Sequence, residues 1–378
     1  MKIFNVLLII VTINFIGCPQ ERLFDTASSI NINVGTEPSK VAAVDLNKDG
    51  FIDLLVTTTG GLAIYLNDGK GNFTAAQGSP FPAGNQPADI GLGDFNSDGN
   101  PDVAIPNHEK NEVTILFSDG QGIFKQAPYH SLKYNFNPHA HSVAAGDLNN
   151  DGNCDLVLTN FLGAEILAVF GDGKGKFLNE PVRYTVPHYP YRNVILDDIN
   201  KDGKIDIITP ANNSNAITIL LGDGKGTFKF AKYSPVPVGN NPFFVITGDF
   251  NNDKNVEIAA GNFDNATLTV LEGNRENDFS KSEVKTFKIG EKPVCMATAD
   301  LNNDGVMDLA TANYDGNNIS ILFGDEKEVF KNEVLNIPVG SAPYGIAIAD
   351  LNGDKKPDIV TANLESNNIT ILFNVNSK

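Results

Sequence analysis

The chain has 378 residues, 41% of them apolar, with Gly 35 and Pro 20, which suits one large turn-rich all-β domain or about two ordinary ones. Its formal net charge of -18 excludes nucleic acid as the expected partner, because proteins that grip a phosphate backbone present a basic stripe. Divalent cations are the more natural counter-ions.

The first 17 residues, "MKIFNVLLIIVTINFIG", carry one Lys and then an apolar run of signal-peptide length, too short to span a bilayer. "FIGC", ending at Cys18, resembles a bacterial lipobox, in which the cysteine becomes the first mature residue and is lipidated. Phe15 stands where Leu is usual, which keeps ordinary export open as the alternative. The expected organisation is a signal peptide over 1–17, a tether over 18–23 and one folded domain over 24–378. The expected location is the cell envelope: an outer-membrane or surface lipoprotein anchored to the membrane at Cys18, otherwise a periplasmic or secreted protein. Cys154 and Cys295 are then too few for a disulfide scaffold.

"DLNKDGFID", from Asp45 to Asp53, places oxygen side chains at positions 1, 3, 5 and 9 and a glycine at position 6, as a calcium loop does. Position 12 is Val56, where a helix-loop-helix hand needs Glu, and the flanks "SKVAAV" and "LLVTT" read as strands. The loop recurs from Asp94, Asp147, Asp198, Asp249, Asp300 and Asp350, at spacings of 49, 53, 51, 51, 51 and 50 residues. Each unit holds four strand-like runs, and a glycine-rich hairpin ending in Phe, such as "NDGKGNF" to Phe73, joins the third to the fourth. Seven such units predict an all-β seven-bladed β-propeller with four antiparallel strands per blade. The last unit stops after its third strand, and "FDTASSININVG" from Phe24 matches the fourth-strand segments of other units. The N-terminal strand is therefore expected to complete the last blade and close the ring.

The repeat resembles the VCBS or FG-GAP type of bacterial surface proteins and of the integrin α-subunit propeller, across about residues 24 to 376. The resemblance implies that the Asp-rich loop between the first two strands of a blade binds Ca²⁺. It says little about activity, since the family includes adhesion receptors, lectin-like proteins and domains attached to polysaccharide-degrading enzymes.

In the first loop the ligands would be Asp45, Asn47, Asp49, the carbonyl of Phe51 and Asp53. The same positions are Asp94, Asn96, Asp98, Asn100 and Asp102 in the second loop, and Asp147, Asn149, Asp151, Asn153 and Asp155 in the third. They are Asp198, Asn200, Asp202, Lys204 and Asp206 in the fourth, and Asp300, Asn302, Asp304, Val306 and Asp308 in the sixth. The fifth loop, Asp249, Asn251, Asp253, Asn255 and Glu257, has Lys254 at the glycine position. The seventh, Asp350, Asn352, Asp354, Lys356 and Asp358, has Lys355 there. These two sites are expected to be weaker than the other five, because the ammonium opposes the cation and left-handed backbone strains a non-glycine residue. Three carboxylates converging in one loop repel one another without a cation. Positions 1, 5 and 9 hold 21 of the 46 acidic residues, and seven Ca²⁺ would bring the charge from -18 to -4.

If each first strand runs down into its calcium loop, the loops and the glycine-rich hairpins share a lower face. Phe24 starts there, six residues after Cys18, so a lipid anchor would hold that face within about 20 Å of the membrane. The upper face carries the turns "TTTGG", "PNHEKNE", "NFLGAE", "PANNSNA", "NFDNAT", "NYDGNN" and "NLESNN", together with the loops leading into each first strand. Most of those loops have a proline seven residues before the first loop Asp, but the third and fourth break the pattern with "YNFNPHAHS" and "VPHYPYRN". All five histidines, His108, His130, His139, His141 and His188, fall in units two to four, accompanied by Tyr134, Phe136, Tyr189, Tyr191 and Arg192. His139, His141, His188, Tyr189, Tyr191 and Arg192 are the candidate ligand-binding residues, since aromatic faces and Arg supply contact area with directional bonds. The alternative is that the rings fill a wider gap between blades three and four. His139 and His141 would face one side of a strand and could hold a metal, but no third ligand is visible. No serine-elbow, zinc-helix or Walker motif occurs. The leading expectation is a calcium-stabilised envelope protein that binds a protein or glycan through its upper face. The alternatives are a polysaccharide lyase or hydrolase using His139, His188, Tyr189 or Arg192, and an assembly scaffold.

Overall fold

Apolar and β-branched runs of about six residues, flanked by turn-forming Asp, Asn and Gly, favour strands buried on both faces. The second strands of the repeats behave so. Asp53–Thr58, Asp102–Asn107, Asp155–Asn160, Asp206–Ala211, Glu257–Asn262, Asp308–Asn313 and Asp358–Asn363 are buried along their whole length. The computed structural model describes residues 23–376 apart from 109, 111, 134–139, 179 and 275–277. The predicted signal segment, Cys18, Tyr134, Phe136 and His139 lie outside those residues, as does the side chain of His130.

The described strands form seven antiparallel sheets arranged as blades, each with four strands in succession, and the fourth sheet adds a short pair, Val236–Pro237. In the seventh sheet the outer strand is Ile30–Asn33, which pairs with Asn368–Leu372 in the register Ile30↔Ile371 to Asn33↔Asn368. The N-terminal strand thus closes the ring, as the sequence predicts. First strands pack on the first strands of neighbouring blades around the axis, among them Lys40–Val44 of blade one on Pro343–Ala349 of blade seven. The hydrophobic core lies between blades: one cluster joins Leu54 and Val56 of blade one to Val360 and Ile369 of blade seven. Another joins Leu55 and Ile64 to Val103 and Ile105 of blade two. Helical structure among the described residues is limited to three short 3-10 turns.

On the lower face each glycine-rich hairpin leans on the preceding blade. A Cβ on Gly71 would collide with the Phe373 ring, and one on Gly175 with the Phe117 ring. Phe124, Phe177, Phe228 and Phe330 are buried beneath their hairpins, whereas Phe73 is half-buried. The Asn residues ending the second strands cap the upper turns: Asn363 Nδ2 donates to Asn368 Oδ1 (2.9 Å) and to Thr370 Oγ1 (2.8 Å).

Position 6 of the loops is left-handed in every copy, including Lys254 (φ 69) and Lys355 (φ 66). Position 4 is left-handed too, and there only the seventh loop uses glycine, Gly353. Lys254→Gly and Lys355→Gly should each stabilise the protein by about 1 kcal/mol by removing a side chain from left-handed backbone. The check is the urea midpoint, which should rise for each variant and rise additively for the pair.

Candidate functional site

Within a loop, short side chains fold back onto the backbone. The Asp49 N–H donates to Asp45 Oδ1 (3.2 Å) and Asn47 Oδ1 (3.0 Å), and the Gly50 N–H to Asp45 Oδ2 (2.9 Å). The same bonds recur at Asp98 and Gly99, and at Asp304 and Gly305. Oxygens of positions 1 and 3 are therefore gathered at one point, and position 5 turns its own carboxylate onto the N–H of position 7, as Asp49 does onto Phe51 (2.9 Å). Among the described residues no three His, Cys, Asp or Glu side chains come together as a metal-holding group. The set a cation would meet in one loop is mixed: carboxylates, an Asn amide oxygen and a backbone carbonyl, all hard oxygens of the kind Ca²⁺ accepts. Lys204 and Lys356, at position 7, turn their ammonium groups onto the position 5 carboxylates of Asp202 (2.9 Å) and Asp354 (3.7 Å).

Position 9 has a role that sequence spacing did not reveal. Asp53 is buried and accepts the Leu46 N–H (3.0 Å) with one oxygen and the Asn67 N–H of the third strand (2.8 Å) with the other. Asp102, Asp155, Glu257, Asp308 and Asp358 repeat this staple. Each oxygen keeps a second lone pair, so stapling and cation binding are compatible. Burial pushes the carboxyls of Asp102, Asp206, Glu257, Asp308 and Asp358 up to about 7 and that of Asp155 up to about 6, against the opposing pull of the amide bonds. Cys154, at position 8, is half-buried, and burial pushes its thiol up to about 12, which makes it unreactive.

The upper face opens into a cavity of about 440 Å³ on the ring axis. Its lining comes mainly from two equivalent positions of the repeat. The residue six before each loop Asp is Ser39, Ala88, His141, Arg192, Phe243, Val294 and Tyr344 in blades one to seven, and of these only His141 is not on the cavity wall. The residue just past each second strand supplies Thr59, His108, Phe263, Tyr314 and Leu364. A hollow of about 300 Å³ adjoins it, where His141, Phe161 and Tyr191 meet His108 and Phe243. The rings form an arc: His108 on His141 (4.5 Å between centroids), His141 on Tyr191 (4.7 Å), Tyr191 on Phe243 (4.9 Å), and Phe243 stacked on Phe263 (4.5 Å). Arg192 reaches from blade four across the axis, its guanidinium 5.0 Å from the Tyr191 ring and 5.0 Å from the Tyr344 ring of blade seven.

One residue deeper, the ring of positions is Lys40, Asp89, Ser142, Asn193, Phe244, Cys295 and Gly345. Here the axis narrows to a neck of about 20 Å³. Lys40 pairs with Asp89 (3.2 Å), which also accepts from Ser142 Oγ (2.6 Å), and Ser142 Oγ accepts the Val194 N–H (3.2 Å). This chain stitches four blades together and closes the cavity from below. Burial would pull the Lys40 ammonium down, but the Asp89 carboxylate overrides it and holds it above the usual lysine range.

Of the candidates read from the sequence, His141, Tyr191 and Arg192 are brought together at these hollows. Tyr189 is exposed and lies against Phe161 (5.3 Å), and His188 is half-buried on its loop without a ring contact among the described residues. Phe243, Phe263, Tyr314 and Tyr344, from blades five to seven, carry no local signal in the sequence; what marks them is that they stand in columns where the seven copies differ most.

A family model described as FG-GAP-like repeat matches residues 45–105, 94–158, 198–260, 249–311 and 300–361. The T-cell immunomodulatory protein of Homo sapiens is 28% identical over 235 residues, covering 57% of this chain and 36% of that protein, so the chain spans about a third of its length. Among solved structures, BBS1N in complex with ARL6DN aligns at a TM-score of 0.63 and 11% identity, over 92% of this chain and 96% of that one. Virginiamycin B lyase from Staphylococcus aureus aligns at 0.60 and 18% identity, over 92% and 98%. An Agrocybe aegerita lectin specific for non-reducing terminal N-acetylglucosamine aligns at 0.55 and 16% identity, over 87% and 86%. At such identities these structures share the fold alone.

Proposed function

The chain belongs to the FG-GAP-like repeat family, and from that premise we propose that it is a calcium-stapled recognition module of the cell envelope that holds a protein or glycan partner on its upper face. One observation carries the reading: the frame repeats closely, yet the axial positions of the upper face differ from copy to copy and gather aromatic rings and one Arg around a cavity. Selection for packing alone would favour repetition at equivalent positions of a symmetric ring. The same fold carries a protein complex in BBS1N with ARL6DN and sugar recognition in the Agrocybe lectin. Calcium at the lower loops would hold the frame, and a lipid on Cys18 would present the upper face away from the membrane.

The test is a screen of the immobilised full chain, in calcium, against glycan and envelope-protein panels. Phe263→Asp and Tyr314→Asp alter the upper face, and Phe230→Asp, on an exposed outer strand of blade four, is the control. A partner should bind the wild type and the control equally and lose at least about tenfold affinity with the two upper-face variants. Binding that ignores both upper-face changes overturns the reading. Turnover of a panel glycan would mark an enzyme instead.

A further inference from the structure

We infer that the axial cavity takes the carboxylate of a sugar acid, a uronate ring of an acidic glycan, with Arg192 as the group that recognises its charge; this rests on the upper face being the recognition surface proposed above. The Arg192 guanidinium sits among three rings, 5.0 Å from Tyr191, 5.5 Å from Phe243 and 5.0 Å from Tyr344. Rings this close stabilise the cation without using its N–H groups, and the terminal Nη groups remain to grip a carboxylate through two parallel bonds.

Among the described residues the chain supplies no such partner. Arg183 is neutralised by Glu165 (2.7 Å) and Lys40 by Asp89 (3.2 Å), whereas no carboxylate among the described residues lies within ion-pair distance of Arg192, and its Nε is buried without an acceptor. Among the described residues, Asp89 is held by Lys40, Ser142 and the Ile90 and Val143 amides, Glu365 accepts from Tyr314 Oη (3.5 Å), and Glu37 lines the cavity as an exposed residue, beyond ion-pair distance of Arg192.

A single unclaimed positive charge matches a monoanion better than a phosphate monoester, which carries close to two charges at neutral pH. The cavity of about 440 Å³ has room for about fifteen water-sized groups, enough for one sugar ring and too little for a folded protein segment. Tyr314 and Tyr344 line the cavity as aromatic surface for the C–H side of such a ring, and Gln86 and Ser39 offer polar atoms to its hydroxyls.

Calorimetric titration of the full chain in calcium tests this with galacturonate and glucuronate, their methyl esters, galactose, glucose and acetate. One of the uronates should bind, its ester and the neutral hexose should bind at least about tenfold more weakly, and acetate should not bind measurably. The acid-over-ester preference should vanish in Arg192→Gln and Arg192→Met, with melting curves checking the fold. The ester comparison on the wild type needs no variant. Equal affinity for acid and ester overturns the charge assignment, and acetate binding as well as the uronate overturns the sugar assignment. If no uronate binds while an upper-face partner is still held, this inference falls and the proposed function stands. If upper-face changes leave partner binding untouched, the function itself falls.

Discussion

Chelating calcium at pH 7.5 should lower the melting temperature by roughly 15 °C, the summed effect of several sites that each contribute about 2.7 kcal/mol when the ion is at a hundred times its dissociation constant. Five loops with glycine at position 6 carry the full pattern. Their combined contribution would be comparable with the ~5–15 kcal/mol that holds an ordinary domain together. The physical cause is repulsion. Without a cation, each loop places the carboxylates of positions 1 and 5 near the buried one of position 9 in a molecule of net charge -18.

The pH dependence of this effect has a definite sign. Burial raises the position 9 carboxyls, with Asp102, Asp206, Glu257, Asp308 and Asp358 at about 7. The unfolded values lie near ~4. A folded-state value above the unfolded one means the fold prefers the proton, so its contribution is complete below the unfolded value and is lost as pH rises through about 7. In chelator, the melting temperature should therefore rise as pH falls from 7.5 to 5.5. In calcium the cation takes over what the proton did, so the gain from calcium should be large at pH 7.5 and shrink at pH 5.5. Scanning calorimetry at both pH values, with and without chelator, decides. Indistinguishable melts at pH 7.5 would sink the staple account, and a chelated protein that weakens on acidification to pH 5.5 would sink the carboxyl account.

The ring was legible because its signals are local and repeated. A loop such as "DLNNDGNCD" needs only its own residues to turn, and seven copies at nearly constant spacing leave few folds open. The position 9 staple was hidden because the partner amide belongs to another strand, as in Asp53 with Asn67, 14 residues on. The candidate site was half legible for a related reason. His141, Tyr191 and Arg192 attracted notice because blades three and four break the proline pattern, but Phe243, Val294 and Tyr344 sit in ordinary-looking repeats. Their meaning comes from the ring, which carries equivalent positions about fifty residues apart to one axis. Arg192 meeting Tyr344 across that axis is a contact no local pattern encodes.

Deleting residues 24–34 should cost most of the molecule's stability, and a peptide of that sequence added in trans should restore part of it. The segment supplies the outer strand Ile30–Asn33, whose removal leaves the backbone groups of Asn368–Leu372 unpaired along an open edge. Its flanks anchor more than the ladder. Phe24 is buried in the cluster of blades five to seven and Val34 in the cluster between blades seven and one, each contributing about 1.5–3 kcal/mol. Asn31 Oδ1 accepts from Thr370 Oγ1 (2.7 Å), and the Asn33 carbonyl accepts from Tyr65 Oη of blade one (3.1 Å), so the strand ties both sides of the closure. An outer strand lost from an open sheet weakens one neighbour, whereas here it opens a ring in which every blade is held on both sides. The deleted protein should therefore melt far below the intact one and associate through its free edge, read by calorimetry and light scattering. Rescue by the peptide follows from strand addition to an exposed edge, and a deletion that melts within a few degrees of the intact chain would show that the ring does not depend on its closing strand.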